Sequence, residues 1–496
     1  MKRVNSFTEP TEKCHAAAQV APPSEPAGWP AWRLAEEIIS RKIKVVEVVE
    51  SHLERLEQVN SLLNAAVTVD YSGALADAAV VQGHLDAGHP PGPLCGVPFS
   101  VKDVIAVRGM AARLGSLAFG SNVARVDASC VTRLRGAGAI VIAKSNCPEF
   151  AFGVTTDSPF SGATRNPWGS HSPGGSSGGE AALVASGASA FGLGTDYGGS
   201  LRWPAQCCGI LALRPAPEST DGAGQLPGPG GRMDGSNGHG SEEPSVQGRF
   251  QVVGPMARNA RDLATLWSVL ANAGGSTVDS ERKRASLTDV SVGWLVAEDS
   301  CRVSTEIASS MADLADALAE AGVRTICKPG VLDSLHMAFN SLRDTDDLAR
   351  LRSALGAKVG LADPRSRKLL ADSPTSRVDP APLWESLSRL RSRVLEHLVE
   401  TPVTLVPVAP VAACRMDGTA EIDGVTTSGF ALMAYCRAVS ALRLPAISIP
   451  YAIDGFGLPL SVQAFTTCGR EHLLFELAEL IEAIRGGVME PPWLSS

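Results

Sequence analysis

Two small-residue loops, 24 positions apart, each carry a serine among glycines. The first loop contains Ser176, and the second contains Ser200 directly after Gly198 and Gly199. Glycines beside a serine remove Cβ bulk, so a substrate can approach closely and successive backbone N–H groups can converge on one oxygen. Acyl transfer needs this arrangement, because the attacking hydroxyl and the oxyanion donors must meet at the same carbonyl group.

A base is the second requirement, since a serine hydroxyl is a weak nucleophile until a neighbour takes its proton. Lys102 ends the apolar segment 96–102, which predicts a turn into a short buried strand. Burial lowers the pKa of a lysine and can leave it neutral near pH 7. The alternative interpretation is a structural lysine that is ion-paired with Asp103.

Three blocks agree in order and spacing with the amidase signature family of serine hydrolases, which this chain resembles. The blocks are PFSVKD at 98–103, SPGGSSGGEAA at 172–182 and GTDYGGSLRWP at 194–204. The resemblance implies that Ser200 is the nucleophile, that Ser176 relays the proton beside a cis peptide bond, and that Lys102 completes the triad.

The same resemblance implies supporting roles around the second serine. Backbone N–H groups of the turn would form the oxyanion hole, and this set comprises Tyr197, Gly198, Gly199 and Ser200. Two charged residues that flank the turn, Asp196 and Arg202, would support its geometry and electrostatics. Ser177 would hydrogen-bond the loop.

Other candidates for the chemistry carry less support. His171 precedes Ser176 by five residues, but no G-x-S-x-G elbow surrounds Ser200. The adjacent Cys207 and Cys208, read as strand residues, would point to opposite faces, and no base motif accompanies them. The resemblance makes Lys144 structural, at the edge of the site.

Four aromatic residues near the loops are candidates for an apolar acyl pocket or for ordinary core positions: Phe152, Phe160, Trp168 and Trp203. The sequence has no cluster of metal ligands and no dinucleotide fingerprint, so we expect neither a metal nor another cofactor.

Composition narrows the class of protein. The 496 residues are 44% hydrophobic with a formal net charge of -8, and no block of Lys or Arg suggests a nucleic-acid partner. The 11 cysteines are scattered, as in a reduced cytoplasmic protein. We expect no secretory signal peptide. The sequence also has no apolar run of about 20 residues, so we expect no membrane span. We expect a cytoplasmic enzyme for a small-molecule amide, with a homodimer left open.

Strands alternate with helices around the two loops, which predicts an α/β sheet sandwiched by helices. The resemblance makes this one large domain, with a twisted mixed sheet covered by helices on both faces. Two amphipathic helices follow Trp29, with a break near 40–44. Further predicted helices are 130–135, 180–185, 262–270, 307–321, 383–398 and 471–484, and further predicted strands are 139–143, 190–195, 405–407, 445–450 and 458–462.

Within this organisation, residues 1–27 are predicted to be a flexible tail and residues 28–490 the amidase signature domain. Residues 219–247 form a Gly- and Pro-rich insertion that lacks periodicity. The resemblance implies that residues 300–400 are a variable helical region at the substrate entrance.

The sequence departs from the family at two places that line this entrance. Ala216-Pro217-Glu218 replaces the usual continuation after Pro215, and Gln251 with its neighbours replaces an acidic residue. The predicted function is hydrolysis of a carboxamide to an acid and ammonia or an amine, and primary amides, anilides, hydrazides and urea-type substrates stay open. The alternatives are the glutaminase subunit of a tRNA-dependent amidotransferase and a non-catalytic binding protein.

Overall fold

A mixed sheet of eleven strands runs through the molecule. The structure is a computed structural model that describes residues 26–120, 122–226, 245–271, 285–296, 301–371 and 379–492. The helices of this part of the chain are α1 Ala31–Ile39, α2 Val45–Leu63, α3 Tyr71–Asp86, α4 Ser129–Gly136, α5 Gly178–Ala185, α6 Arg202–Cys208, α7 Val246–Phe250, α8 Ala260–Leu270, α9 Thr305–Glu320, α10 Leu335–Leu355, α11 Pro364–Ala371, α12 Ala381–Glu400, α13 Ala434–Leu442 and α14 Glu471–Arg485.

The strands are β1 Ala66–Val69, β2 Pro98–Lys102, β3 Ile140–Ser145, β4 Asp157–Ser158, β5 Gly162–Ala163, β6 Phe191–Asp196, β7 Leu211–Arg214, β8 Val252–Ala257, β9 Ser291–Trp294, β10 Arg324–Cys327, β11 Val403–Pro407, β12 Thr419–Ile422, β13 Val425–Ser428, β14 Ala446–Ile453 and β15 Pro459–Thr466. The large sheet has the order β1-β3-β2-β6-β8-β7-β14-β15-β11-β9-β10. Two separate ribbons pair β4 with β5 and β12 with β13. The predicted α/β fold, a single domain with a mixed sheet and covering helices, is confirmed.

The parallel pair of β2 and β6 positions the chemistry. Phe99 pairs with Phe191 in register, and their rings stack with centroids 4.9 Å apart. Every residue of both strands is buried, as expected for strands covered on both faces. Because parallel strands end at the same edge of a sheet, Lys102 at the end of β2 lies beside Thr195 near the end of β6.

The two predicted N-terminal helices are confirmed as α1 and α2. Each turns an apolar face inward, with Leu34 and Ile38 of α1 fully buried. The first backbone N–H groups of α1 have no partner within the helix. Asp262 of α8 accepts those of Ala31 and Trp32, both at 2.8 Å. This capping ties the helical start of the domain to a segment more than 200 residues away.

Several boundaries differ from the sequence-based expectation. Cys207 and Cys208 end helix α6 rather than lying in a strand. Residues 1–25 of the predicted tail lie outside the described residues, whereas Ala27 is buried and donates its N–H to Ser51 Oγ at 3.3 Å.

The described ends of the 219–247 insertion are attached to the domain. Residues 227–244 lie outside the described residues. Gln225 forms a bridge with Ile105, and α7 begins at Val246, where Ser245 accepts the N–H of Gly248 at 2.9 Å. Helix α7 therefore precedes the apolar strand that the sequence pattern indicates.

No helix within the described ranges is long and apolar enough to cross a membrane.

Candidate active site

Lys102 is the last residue of β2. Its side chain is fully buried, and its Nζ is hydrogen-bonded to Ser176 Oγ at 2.7 Å, Thr195 Oγ1 at 2.9 Å and Ser177 Oγ at 3.0 Å. All three partners are hydroxyl groups. Burial lowers the pKa of Lys102 to about 8, although the more distant Asp196 and Glu180 oppose the shift. The neutral, proton-accepting form of this lysine is therefore easier to reach near physiological pH than that of an exposed lysine.

The first serine loop brings Ser176 to this lysine. The peptide bond between Gly175 and Ser176 is cis, and Ser177 is the residue immediately before α5. A methyl group on Gly175 would lie 2.5 Å from the carbonyl oxygen of Gly153, so glycine is needed there for close backbone approach. Ser177 Oγ donates to the carbonyl oxygen of Thr195 at 3.3 Å, which joins the loop to β6.

The second serine loop is organised by a buried carboxylate. Asp196 accepts the N–H groups of Gly199 at 2.8 Å and Leu201 at 3.2 Å, and it pairs with the Arg202 guanidinium at 3.0 Å. Burial opposes ionisation, but the cations of Arg202 and Arg214 outweigh it and hold the pKa of Asp196 below its ordinary value. The charged acid thus holds the turn in one shape.

Gly199 has a special place in this turn. Its φ is +125°, and a methyl group there would lie 2.6 Å from Cys436 Cβ, so a side chain would be excluded on both counts. Its N–H is engaged by Asp196. The N–H groups of Gly198 and Ser200, in contrast, donate to no other group in the described part of the chain.

Ser200 faces a cavity that Ser176 also lines. Its carbonyl oxygen accepts the N–H of Ser177 at 3.2 Å, which holds the two serine loops together. No hydrogen bond joins the Ser200 and Ser176 hydroxyls among the described contacts. Catalytic hydrogen bonds are often completed only when substrate binds.

Aromatic and basic side chains line the cavity. Its aromatic residues are Phe150, Phe152, Tyr197, Phe339 and Phe430, and its basic residues are Arg343 and Arg437. Gln247 and Gln251 also line it, and they are hydrogen-bonded to each other. No Asp or Glu lines this cavity in the described chain.

The predicted aromatic candidates divide between cavity and core. Phe152 lines the cavity. Trp203 and Trp168 are buried in the core and donate their indole N–H groups to the carbonyl oxygens of Val154 at 2.8 Å and Cys208 at 2.9 Å. Phe160 is on the surface against Arg113.

None of the rival candidates lines the cavity that Ser176 and Ser200 share. His171 is half-buried outside the cavity wall, and burial lowers its pKa. Cys207 and Cys208 are fully buried, and burial raises the pKa of both thiols, which disfavours a thiolate nucleophile. Lys144 pairs with Asp103 at 3.9 Å. The ion pair considered for Lys102 is therefore made by another lysine.

One buried acid near the site, Glu180, was not among the site residues predicted from the sequence. Glu180 of α5 accepts hydrogen bonds from the hydroxyls of Ser100 on β2 and Ser145 on β3, the latter at 2.5 Å. Burial raises the pKa of Glu180 to about 7, although both hydroxyls favour its charged form. The sequence signal for Glu180 was its place in the block at 172–182, directly after the first serine loop.

No group of three or more His, Cys, Asp and Glu side chains that could hold a metal ion occurs in the ranges described above.

Comparisons with known proteins identify the family. Residues 47–475 match the Amidase family. The chain is 32% identical over 479 residues to the putative amidase AmiB2 of Mycobacterium tuberculosis, covering 90% of this chain and 92% of that protein. It is 42% identical over 186 residues to a glutamyl-tRNA(Gln) amidotransferase subunit of Acidothermus cellulolyticus, a match that spans only 37% of each chain.

The fold supports the same assignment. A crystal structure of an amidase superposes with a TM-score of 0.78 and 25% identity, covering 92% of this chain and 99% of that one. The chain belongs to the amidase signature family. It is an amidase, an enzyme that hydrolyses amide bonds.

Proposed function

We propose that this enzyme hydrolyses a carboxamide through an acyl-enzyme on Ser200. Ser200 Oγ attacks the carbonyl carbon, its proton passes to Ser176, and the Ser176 proton passes to Lys102. The ammonia or amine leaves with the proton returned along the same path. Water then attacks the ester, so that the acid is released and the Ser200 hydroxyl is restored.

The contact between Lys102 and Ser176 carries this proposal. A neutral amine accepts a proton from a hydroxyl hydrogen-bonded to it, and the 2.7 Å separation of Nζ and Oγ is suitable for that transfer. The lowered pKa of Lys102 supports its role as base, because a fully charged lysine could not accept a proton. Ser177 and Thr195 would hold Nζ in place through their hydroxyls.

The N–H groups of Gly198 and Ser200 are the proposed oxyanion donors. They lie in the turn that carries the nucleophile, beside the cavity. The backbone of Tyr197 would adjoin these donors, and its ring would form part of the aromatic cavity wall. We assign Gly199 to the shape of the turn rather than to the oxyanion, since its N–H is engaged by Asp196. Preorganised donors of this kind contribute most when they are fixed before the reaction.

The substrate entrance would be formed by segments remote from the triad. Phe339 and Arg343 of α10 belong to the predicted 300–400 region, and Gln247 belongs to the end of the 219–247 insertion. All three line the cavity. We therefore propose that these two segments select the substrate.

The proposal is tested by Ser200→Ala with a library of small amides and an activated-serine probe. Turnover and labelling should both disappear while the melting temperature stays close to that of the wild type. Ser268→Ala, at an exposed position of α8, serves as the matched control and should retain both. Mass spectrometry should find the acyl adduct on Ser200. Labelling that persists in Ser200→Ala would refute the assignment.

A second candidate, the glutaminase component of an amidotransferase, is favoured by the local similarity to one chain of such an enzyme. That role requires a stable partner protein to receive the ammonia. Affinity purification from the native host distinguishes the two. A stoichiometric partner together with glutaminase activity would favour the amidotransferase, whereas an isolated active amidase would favour the first proposal.

We further propose that the enzyme acts in the cytoplasm without another protein. The ten described cysteines are all free thiols, as expected in a reducing compartment. Light scattering at several protein concentrations would distinguish a monomer from the homodimer left open above.

A further inference from the structure

Arg437 presents an unusual buried cation to the cavity. It lies on α13, is 5% exposed, and lines the cavity wall. Nη1 donates to Asn340 Oδ1, whereas Nε is buried without a partner. No other hydrogen bond is made by this guanidinium in the described chain, so the edge formed by Nε and Nη2 has no hydrogen-bond partner. That edge binds a carboxylate through two parallel hydrogen bonds.

In the described part of the chain no Asp or Glu forms an ion pair with Arg437. Asp344 attracts the Arg437 cation electrostatically, but its carboxylate is paired with Arg343 at 2.9 Å. The fully buried Arg202 shows the contrasting arrangement, with Asp196 at 3.0 Å. Burying a cation without an anion is costly, because its hydration is lost and no partner replaces it. A ligand anion would remove this cost.

Two contacts position the Arg437 guanidinium relative to Ser200. A methyl group on Gly198 would lie 3.5 Å from Arg437 Nε, which places the guanidinium beside the turn that carries Ser200. The central carbon of the guanidinium lies over the Phe430 ring, 4.0 Å from the ring centroid. This cation–π contact restrains the position of the guanidinium without using its N–H groups as hydrogen-bond donors.

We propose that the substrate of this enzyme carries a carboxylate a few bonds from the scissile carbonyl, and that Arg437 binds it. This rests on the proposed function, because it concerns the same cavity. The apolar part of the substrate would contact Phe430 and Phe152. The preferred class is thus the monoamides of short dicarboxylic acids.

The test uses two 4-nitroanilides of similar shape. The succinyl monoanilide carries the carboxylate, and the 4-methylpentanoyl anilide has an isopropyl group in its place. The wild-type enzyme should prefer the first. In Arg437→Gln, kcat/KM for the succinyl anilide should fall about 10- to 100-fold, as expected when a charged hydrogen-bonding partner is lost. The value for the neutral anilide should change less than about threefold.

Two further variants separate recognition from folding. Arg389→Gln removes a surface arginine that pairs with Glu385 and should leave both substrates unaffected. Arg437→Lys keeps the charge but loses the flat edge, so an intermediate loss is expected for the succinyl anilide alone. Equal losses on both substrates, or no preference in the wild type, would overturn the proposal.

Binding to Ser200→Ala separates this inference from the catalytic one. Calorimetry should show succinyl monoanilide binding to Ser200→Ala and at least about tenfold weaker binding to the double variant with Arg437→Gln. If binding depends on Arg437 but the wild type never cleaves either anilide, the proposed function fails and the recognition site stands. If the neutral anilide is cleaved and charge makes no difference, only the recognition site fails.

Discussion

Lys102 Nζ lies 2.7 Å from Ser176 Oγ, and its other two partners are also hydroxyl groups rather than carboxylates. The contact is formed at the shared edge of β2 and β6, beneath the turn that carries Ser200. A lysine in this setting has hydrogen-bond partners for either protonation state, because a hydroxyl can donate or accept. The arrangement suits a residue that changes its charge during each turnover.

Replacement of this lysine should abolish activity without weakening the fold. Lys102→Met removes the base, and we expect kcat to fall by at least about 10³-fold, within the range for general-base removal. The melting temperature should stay the same or rise, since a buried amine that resists desolvation is removed. Lys42→Met, at an exposed position, is the control. Retained turnover in Lys102→Met would contradict its assignment as base.

The pH dependence of catalysis should follow the same group. Lysine loses its proton as pH rises through its pKa, so the proton-accepting form increases with pH. With a pKa lowered to about 8 by burial, kcat/KM should rise between pH 6 and pH 9 and then level off. Stopped assays with a neutral amide across this interval measure the profile. A kcat/KM that stays constant between pH 6 and pH 9 would contradict the role of Lys102 as the base.

Glu180 should make the fold less stable at higher pH. Its folded-state pKa of about 7 lies above the ordinary value of 4.5. The proton bound by the folded state therefore adds stability at pH values below 4.5, and this contribution is lost as pH rises through 7. The pKa difference corresponds to about 3 kcal/mol.

Glu180→Gln should remove this part of the pH dependence. Denaturant unfolding at pH 5 and pH 8 measures the change, and Glu385→Gln at an exposed helix position is the control. A slope that is identical in Glu180→Gln and wild type would assign the pH dependence to other groups.

Asp196→Asn should damage both stability and activity. The substitution leaves Arg202 and Arg214 buried without their shared counter-ion, and breaking such a pair costs about 3–5 kcal/mol. The turn that carries Ser200 also loses its charged acceptor. Asp86→Asn is the matched control, because its pair with Arg41 is exposed and is worth at most about 1 kcal/mol. Comparable melting temperatures for the two variants would contradict the organising role of Asp196.

Two glycines should respond in opposite ways to a methyl group. Gly199→Ala meets Cys436 at a positive φ, so we expect at least about tenfold lower kcat together with reduced stability. Gly83→Ala lies in α3 with open space around the added methyl and should stabilise the protein by about 0.5–1 kcal/mol. Thermal unfolding and kcat measured on both variants check the pair. Full activity in Gly199→Ala would show that the turn tolerates rearrangement.

The local sequence was enough to predict helices and strands and the kind of chemistry at the two serine loops. The helical spacing from Trp32 to Leu56 predicted two helices, and the apolar run before Lys102 predicted its strand, because periodicity reports which face of an element is buried. The glycine-flanked serines likewise indicated acyl transfer, since few other functions need a serine with so little bulk around it.

Only the tertiary structure decided which distant residues meet. Asp103 follows Lys102 directly but pairs with Lys144, because strand pairing and the turn after β2 determine where each side chain points. Arg437 is more than 230 positions from Gly198, yet their contact places a cation beside the turn that carries Ser200. A local pattern contains no information on such neighbours: they follow from strand order and helix packing, which depend on contacts across the whole chain.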